Sequence, residues 1–201
     1  MTTQPLAHPA PTAIGPMTFV WGERTFVMGI LNITPDSFSG DGLLTGTDAI
    51  ERALEQARQM VDAGADLLDV GGESTRPGHE TVEAAAEIDR IVPVIAAIRA
   101  ALPATPISVD TSKPAVAEAA LDAGAHLLND IWGTGPDPAM AELAATRRVP
   151  LLVMHNRREP RYDDLVADVV ADLHAAVERA IGLGVLESDL LVDPGIGFGK
   201  T

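Results

Sequence analysis

Six short apolar segments that each end on a polar residue constrain the fold of this chain more than any other feature. The polar ends are Asn32, Asp69, Asp110, Asn129, His155 and Asp193. Segments with helical spacing separate most of them. An apolar strand, a polar end, a loop and a helix, repeated along one chain, are typical of a parallel (β/α) barrel, which carries its chemistry at the carboxyl ends of the strands. We therefore expect these six residues to lie on one rim of a barrel.

A duplicated phrase in the sequence supports the repeat. Residues 62–69 read DAGADLLD and residues 122–129 read DAGAHLLN. Each combines a helix end, a glycine turn, an apolar strand and a polar residue, which is the unit that a βα repeat produces. The apolar spacing predicts helices over residues 47–63 and 82–102, with a kink or break at Pro93 in the second. Further helices are predicted to begin near residues 111, 137 and 165.

The amino-terminal segment differs from the rest of the chain. Residues 1–16 contain four prolines and no lysine or arginine, which predicts a disordered segment without the features of a signal peptide. Residues 17–201 are expected to form one barrel domain. Residues 17–20 and 24–27 are predicted to pair as a β-hairpin that closes the floor of the barrel. A full eight-stranded barrel takes about 250 residues, so we expect about six βα units here and a C-terminal part that is missing.

The composition excludes several classes of function. The net charge of −15 repels the phosphates of nucleic acids and of anionic membrane surfaces. No apolar stretch is long enough to span a bilayer, and without cysteine the chain has neither a disulfide nor a cysteine nucleophile. These features favour a cytoplasmic protein that acts on small molecules. An anionic substrate would require a local cation, either from the protein or from a metal ion.

Two glycine-containing loops carry candidate groups for such a substrate. Asn32 begins the first loop, and its amide oxygen is a hard ligand suited to Mg²⁺, although Asn and Asp in this stretch could equally cap a turn. The second loop, residues 71–78, holds three glycines, two hydroxyl side chains and one arginine. Backbone N–H groups, Thr75 and Arg76 could hold a phosphate there, and the alternative is a flexible surface loop. Positive charge is rare in this acidic chain, which favours the phosphate interpretation for Arg76.

The strand ends suggest a second kind of ligand. Asp110, Asn129 and Asp193 offer two carboxylates and an amide, an array of donors and acceptors for a flat heterocycle with N–H groups, such as a pterin. The alternative is that each residue caps the loop or helix that follows it. Met154 could pack on the face of such a ring. His155 could be a base, a ligand or, as is more common for a lone histidine, a structural residue.

The last residues of the chain resemble a phosphate-binding P-loop, but their spacing excludes one. Gly-Lys-Thr at residues 199–201 resembles the end of a phosphate-binding P-loop, but position 194, where that motif needs a glycine, is proline. Phe198 and Lys200 are still expected to face the pocket.

From residue 26 to residue 201 the sequence resembles the dihydropteroate synthase family. The resemblance rests on five motifs, at residues 32–38, 71–78, 108–111, 128–131 and 193–200. It implies a TIM (β/α)8 barrel and a transferase of folate biosynthesis that joins 7,8-dihydropterin-6-ylmethyl pyrophosphate to p-aminobenzoate and is the target of sulfonamides. It also implies Mg²⁺ as a cofactor and suggests a homodimer.

The resemblance implies a role for each matching residue. Asp110, Asn129 and Asp193 would bind the pterin ring, and the two carboxylates would stabilise the cation left when pyrophosphate departs. Asn32 would contact Mg²⁺. The other implied substrate contacts are Met154 and Phe198 beside the ring, Lys200 at the pocket, Thr75 and a catalytic Arg76 on phosphate and p-aminobenzoate, and Phe38 and Pro77 as loop walls.

The chain departs from the family pattern in two places. Its first loop reads Ser39-Gly40-Asp41-Gly42 where the family has Ser-Asp-Gly-Gly, which leaves open whether Asp36 or Asp41 acts there. The family's lysine after the seventh strand and its Arg-x-His group at the eighth lie beyond residue 201, so the chain alone is expected to be inactive or poorly folded. The alternatives are a pterin-binding methyltransferase of the corrinoid type, against which the loop at residues 71–78 argues, and a non-catalytic pterin-binding fragment.

Overall fold

The computed structural model describes residues 9–34, 47–73, 82–133, 135–157 and 159–200. Strands and helices follow one another through these residues. In chain order they are β1 (Thr12–Ile14), β2 (Met17–Phe19), β3 (Met28–Asn32), α1 (Thr47–Asp62), β4 (Leu67–Gly71), α2 (Ala84–Ala101), β5 (Ile107–Asp110), α3 (Pro114–Ala123), β6 (Leu127–Asp130), α4 (Ala139–Arg147), β7 (Leu151–Met154), α5 (Leu165–Gly182) and β8 (Leu190–Asp193). A 3₁₀ turn, Glu187–Asp189, precedes β8.

Strands β3 to β8 form one parallel sheet in which each strand pairs with the next in sequence. A helix lies between every two of these strands, because the chain must return to the same end of the sheet before a parallel strand can begin. This sequential parallel order is that of a (β/α) barrel, and it confirms the predicted α/β fold with about six βα units. Among the described residues, β3 and β8 are the edges of the sheet.

Alternation along the strands separates an outer face, covered by helices, from an inner face. In β4, Leu68 and Val70 pack in the main hydrophobic core with the helices, whereas Leu67 packs in a second, inner cluster. Asp69 comes two residues after Leu67 and therefore lies on the inner face as well. The same alternation in the neighbouring strands places one set of polar side chains together inside the barrel.

The predicted helices are found, with one correction at α2. This helix runs without interruption from Ala84 to Ala101 although Pro93 lies inside it, so the predicted break is wrong. Proline removes one backbone hydrogen bond, but the side chains that α2 buries in the main core outweigh that loss. They are Ile91, Val94, Ile95 and Ile98. None of the helices in the described residues has both the length and the hydropathy needed to cross a membrane.

The β-hairpin lies earlier in the chain than the sequence predicts. Strands β1 and β2 pair antiparallel around Gly15, whose φ of +55° suits the left-handed position of the turn. The hairpin predicted at residues 17–20 and 24–27 is therefore wrong, because the second of these segments forms no strand. The predicted disorder is wrong for β1, while residues 1–8 lie outside the described residues. The strand was not predicted because this segment is rich in proline and its alternation of buried and exposed residues covers only three positions.

The hairpin closes the amino-terminal end of the barrel, which agrees with the prediction for its role. Ile14 and Phe19 are fully buried in a cluster with Leu67 and Leu127, the first residues of β4 and β6. The partly buried side chains packed against this cluster are Met17, Trp21, Phe26, Met28, Leu152 and Leu191. Because the cluster fills one end of the inner face, ligands must approach from the opposite end, where the strands finish.

Thr12 bonds the hairpin to the turn before β8, and its removal should be measurable. The buried Thr12 Oγ1 donates to the carbonyl of Ser188 at 2.7 Å and accepts from Trp21 Nε1 at 3.0 Å. We expect Thr12→Val to lower the free energy of unfolding by about 1–2 kcal/mol, because the indole N–H loses its acceptor. Thr18→Val, at an exposed position of β2, should change it by less than about 0.5 kcal/mol. Chemical denaturation measures both, and equal effects would contradict this role of Thr12.

Candidate active site

Asp110 lies at the centre of the inner rim. It ends β5, and the strand register places it opposite Gly71 of β4 and Asn129 of β6. Gly71 packs against this side chain, since a Cβ there would be in ordinary van der Waals contact with Asp110 Oδ2, at 3.4 Å. Asp110 Oδ1 is buried and has no hydrogen-bond partner within the described residues. A buried oxygen without a partner is costly, so a ligand that donates a hydrogen bond here would be bound favourably.

Asp69 belongs to the same rim although it does not end its strand. Strand β4 continues to Gly71, and Asp69 is only 2% exposed. Its Oδ2 accepts a hydrogen bond from Asn129 Nδ2 at 3.0 Å, while its Oδ1 has no partner in the described part of the chain. This bond orients the Asn129 amide so that it can present its oxygen to a ligand. The expectation that Asp69 is a strand end is therefore wrong, and its place beside Asn129 was missed.

Two inner carboxyl groups, those of Asp69 and Asp110, have raised pKa values. Burial raises the pKa of Asp110 to about 8, and neighbouring negative charges, first among them Asp69, add to the rise. Burial also raises the pKa of Asp69, and the hydrogen bond from Asn129 offsets this rise only in part. Two buried carboxyl groups this close together resist ionising at the same time. A ligand that brings N–H donors or positive charge would stabilise their ionised forms, and the site is suited to such a ligand.

Strands β7 and β8 contribute the next residues of the rim. Met154 is 3% exposed, ends β7 and lies opposite Asp193, the last residue of β8. Both come two residues after side chains that pack in the inner cluster, so both are on the inner face. Asp193 Oδ1 accepts a hydrogen bond from the Gly195 N–H at 2.7 Å, which closes a tight turn after the strand. The capping alternative therefore applies to one oxygen of Asp193.

His155 is a structural residue that holds two strand ends together. Its side chain is fully buried, and Nε2 lies 3.1 Å from Asp172 Oδ2, which also accepts from Arg157 Nε at 2.9 Å. Its backbone N–H donates to the carbonyl of Asp193 at 2.8 Å. The imidazole is thus held by α5, away from the rim. Of the alternatives that the sequence left open for His155, the geometry favours the structural one.

Lys200 secures the loop after β8 against the end of β7. Its Nζ donates to the carbonyl oxygens of His155 at 2.8 Å and Phe198 at 3.0 Å. Burial lowers the pKa of the Lys200 ammonium, although the nearby Asp193 works in the opposite direction. Phe198 is half-buried in the same loop. Substrate contacts of Lys200 and Phe198 stay predictions, while the observed bonds give Lys200 a structural role in addition.

Asn32 stands at the exposed end of β3, opposite Gly71 in the register. Within the described residues, no group of three His, Asp or Glu side chains could hold a metal ion by itself. An amide oxygen is a hard ligand of the kind that Mg²⁺ takes, and a metal ion at Asn32 stays a prediction. The remaining predicted residues lie outside the described residues and stay predictions. They are Asp36, Phe38, Asp41, Thr75, Arg76 and Pro77.

Comparison with known proteins agrees with a pterin site. Residues 28–201 match the model of a family described as pterin binding enzyme. Dihydropteroate synthase of Bacillus subtilis is 48% identical over 194 residues, which are 96% of this chain and 65% of that protein. Dihydropteroate synthase of Clostridium beijerinckii is 49% identical over 188 residues, which are 94% of this chain and 68% of that protein. The chain thus spans about two thirds of the length of these relatives.

Solved structures of similar proteins share the fold of this chain. Dihydropteroate synthase from Clostridium difficile, determined in the presence of pteroic acid, has a TM-score of 0.84 and 42% identity and covers 90% of this chain and 67% of its own. The Burkholderia cenocepacia enzyme complexed with 7,8-dihydropteroate has a TM-score of 0.83 and 40% identity, with 98% and 67% covered. The Xanthomonas albilineans enzyme with 4-aminobenzoic acid has a TM-score of 0.82 and 44% identity, with 89% and 64% covered.

Proposed function

This chain belongs to the pterin-binding enzyme family, among the dihydropteroate synthases, and we propose that it forms the pterin-binding part of an enzyme of folate biosynthesis. The enzyme condenses 7,8-dihydropterin-6-ylmethyl pyrophosphate with p-aminobenzoate to give 7,8-dihydropteroate and pyrophosphate. The observation that carries the proposal is the inner array of Asp69, Asp110 and Asn129 at the carboxyl ends of three adjacent strands.

The chemistry of the array matches the edge of a pterin. The pyrimidinone edge of a pterin presents an amino group and a ring N–H as donors and a carbonyl oxygen as an acceptor. A carboxylate accepts from two neighbouring N–H groups, and an amide can donate and accept at once. Asp110 has a buried oxygen without a partner among the described residues, and Asn129 is oriented by Asp69. This arrangement supports binding of the pterin ring by Asp110 and Asn129. Asp193, at the end of β8, would complete the binding of the ring, and Met154, at the end of β7, would lie beside it.

The reaction needs charge stabilisation more than covalent chemistry. The bond between the methylene carbon and the pyrophosphate oxygen breaks, and the electron pair leaves with pyrophosphate. The methylene cation that remains is delocalised into the pterin ring, where Asp110 and Asp193 would stabilise it. The amine nitrogen of p-aminobenzoate then forms the new bond and loses a proton to water. Mg²⁺, when held at Asn32 with the diphosphate, would neutralise charge on the leaving group.

The anionic substrate requires cations that the inner array lacks. We assign phosphate binding to Thr75 and Arg76, with Arg76 catalytic, and the walls of the p-aminobenzoate site to Phe38 and Pro77. Arg76 belongs to a chain with 14 basic and 29 acidic residues. Positive charge beside the substrate therefore has to be supplied locally, which supports this assignment.

The proposal extends to the surroundings of the enzyme. We propose a cytoplasmic enzyme that is inhibited by sulfonamides, because these molecules mimic p-aminobenzoate. Its partners are the two small-molecule substrates and a second copy of itself in a homodimer. The net charge of −15 supports the absence of nucleic acid and anionic membranes among its partners.

Pyrophosphate release measured in the full-length protein tests the proposal. We expect release that requires both Mg²⁺ and p-aminobenzoate, that stops when EDTA removes the metal, and that yields dihydropteroate in equal amount. The 201-residue chain run beside it is expected to show no turnover. Full-length protein that binds the pterin but releases no pyrophosphate would instead indicate a binding protein or a different pterin enzyme.

A further inference from the structure

The backbone of His155 is bonded to β8 and to the loop that follows this strand. Its N–H donates to the carbonyl of Asp193 at 2.8 Å, and its carbonyl accepts from Lys200 Nζ at 2.8 Å. A Cβ on Gly195 would lie 2.2 Å from the same carbonyl oxygen, so the loop packs directly on this residue. The position of His155 therefore sets where Asp193, the last residue of β8, stands relative to Lys200.

The imidazole of His155 is anchored to helix α5. It is fully buried, and its Nε2 lies 3.1 Å from Asp172 Oδ2. Because a carboxylate can only accept, Nε2 carries the proton of this bond. The other ring nitrogen, Nδ1, is buried and has no hydrogen-bond partner within the described residues. The bond to Asp172 therefore sets the orientation of the ring.

Asp172 is itself held in place by the loop after β7. The guanidinium of Arg157 contacts its Oδ2 twice, from Nε at 2.9 Å and from Nη2 at 2.8 Å. Arg157 is fixed in turn, since its Nη1 donates to the Arg161 carbonyl at 2.7 Å and its Cζ lies 4.7 Å from the centre of the Tyr162 ring. Asp172 Oδ2 is therefore shared between a guanidinium and the imidazole.

The ion pair between Asp172 and Arg157 is not a source of much stability. Their side chains are 36% and 28% exposed, and ion pairs that water can reach are generally weak. Asp172 differs from an ordinary surface carboxylate because it also bonds to a fully buried imidazole. That bond joins a helix to the residue that holds the end of β8, and it therefore acts on position more than on stability.

We propose that Asp172 is a positioning residue of the pterin site, which acts through His155 on Asp193. The carboxylate holds the ring, and the backbone of the same histidine holds the end of β8 and the Lys200 ammonium. The inference rests on the proposed function, which gives Asp193 its pterin ligand. Loss of the bond should let His155 and the loop after β8 shift, so that Asp193 no longer meets the pterin ring in a fixed position.

Binding of 6-hydroxymethyl-7,8-dihydropterin, measured by calorimetry in the full-length protein, tests this role. We expect Asp172→Ala to raise Kd about tenfold or more, because a small displacement of a binding group is costly. Asp172→Asn should keep Kd within about threefold of the parent, since its amide oxygen can take the place of Oδ2 and accept from His155 Nε2. Equal losses in the two variants would assign the effect to the charge of Asp172 and overturn the proposal.

Asp168→Ala is the matched control for Asp172→Ala. Asp168 lies one turn before Asp172 on α5, its side chain is 29% exposed, and its Oδ2 is 3.5 Å from Arg157 Nη1. The two carboxylates share a helix, a charge and a cation, whereas the bond to the imidazole is made by Asp172. We expect Asp168→Ala to leave Kd within about threefold of the parent. A rise as large as that in Asp172→Ala would overturn the proposal.

Hydrogen exchange of the Gly195 amide gives a readout that does not depend on the proposed function. This N–H donates to Asp193 Oδ1 at 2.7 Å and lies in the loop that His155 holds. We expect exchange about tenfold faster in Asp172→Ala than in the parent, because local opening of the loop becomes easier, and less than about twofold faster in Asp168→Ala. Unchanged exchange in Asp172→Ala, or equal acceleration in both variants, would overturn the proposal. A parent protein that binds no pterin would refute the proposed function, and Gly195 exchange would still decide whether Asp172 positions the loop.

Discussion

Asp110→Asn in the full-length protein should lower kcat/KM for the dihydropterin pyrophosphate about 10²–10³-fold. The substitution keeps the shape of the side chain and one acceptor oxygen. It removes the negative charge that the methylene cation requires, at the position where Gly71 and Asn129 place the carboxyl group. Initial rates of pyrophosphate release at saturating p-aminobenzoate measure the effect.

Asp130→Asn is the matched control for this substitution. Asp130 ends the adjacent strand β6, and burial raises its pKa to about 6. It lies two residues after Leu128, which packs in the main core with the helices, so it is on the outer face. Its Oδ1 accepts from the Trp132 N–H at 3.0 Å. We expect its loss to change kcat/KM less than about threefold, and equal losses in the two variants would contradict a special role for Asp110.

The raised pKa of Asp110 also predicts how stability depends on pH. The pKa is about 8 in the folded protein and 3.8 for an ordinary carboxyl group. Between these values the folded state binds more protons than the unfolded state, so stability falls as the pH rises through this range. Asp110→Asn removes this penalty. We expect the Tm of the variant to exceed that of the parent by more at pH 8.5 than at pH 5, and a constant difference would contradict the shift.

Gly195→Ala should lower the affinity for the pterin about 100-fold or more. Gly195 has a φ of +69°, and a Cβ there would lie 2.2 Å from the His155 carbonyl oxygen and 2.8 Å from Lys200 Nζ. The carbonyl belongs to the buried His155, directly after β7, whose backbone N–H is bonded to the Asp193 carbonyl, so we expect it to resist displacement. The loop must therefore move, and it takes with it the Gly195 N–H that holds the Asp193 carboxylate. Calorimetry of pterin binding measures the loss of affinity.

Gly197→Ala separates this steric effect from backbone strain. Gly197 has a φ of +91°, but a Cβ there would have nothing within 4 Å. Both substitutions place a side chain on a left-handed residue at a cost of about 1–2 kcal/mol. We expect Gly197→Ala to lower Tm slightly and to leave pterin affinity within about threefold of the parent. Similar losses of affinity in the two variants would show that strain, and not contact with His155, is responsible.

The residues at the ends of the strands could be predicted because burial dictates their pattern. An apolar run that ends in Asp110 or Asp193 is typical of a buried strand with a polar end, and parallel order then brings such ends together. The place of Asp69 could not be predicted in this way. The apolar spacing does not show where β4 stops. The strand continues for two residues beyond Asp69, so this side chain lies on the inner face within the strand and bonds to Asn129.

Contacts between residues far apart in the sequence account for the other differences. Lys113 forms an ion pair with Glu73 although the two are 40 residues apart, and neither position carries a local pattern that marks this pair. Strand β1 could not be predicted for a similar reason. Its alternation of buried and exposed residues is short, and Ile14 is buried only by distant residues at the start of β4 and β6. Pro93 is tolerated in α2 because tertiary packing outweighs the local preference of proline.

The closed floor of the barrel has a consequence for the order of folding. The hydrogen bond from Thr12 to Ser188 spans 176 residues, so the floor is completed only after nearly the whole described chain has been synthesised and collapsed. Closing so long a loop is entropically expensive, and such contacts form late. The neighbouring βα units, whose strands pair in sequence order, can assemble first. The hairpin should therefore dock last and slow unfolding more than it accelerates folding.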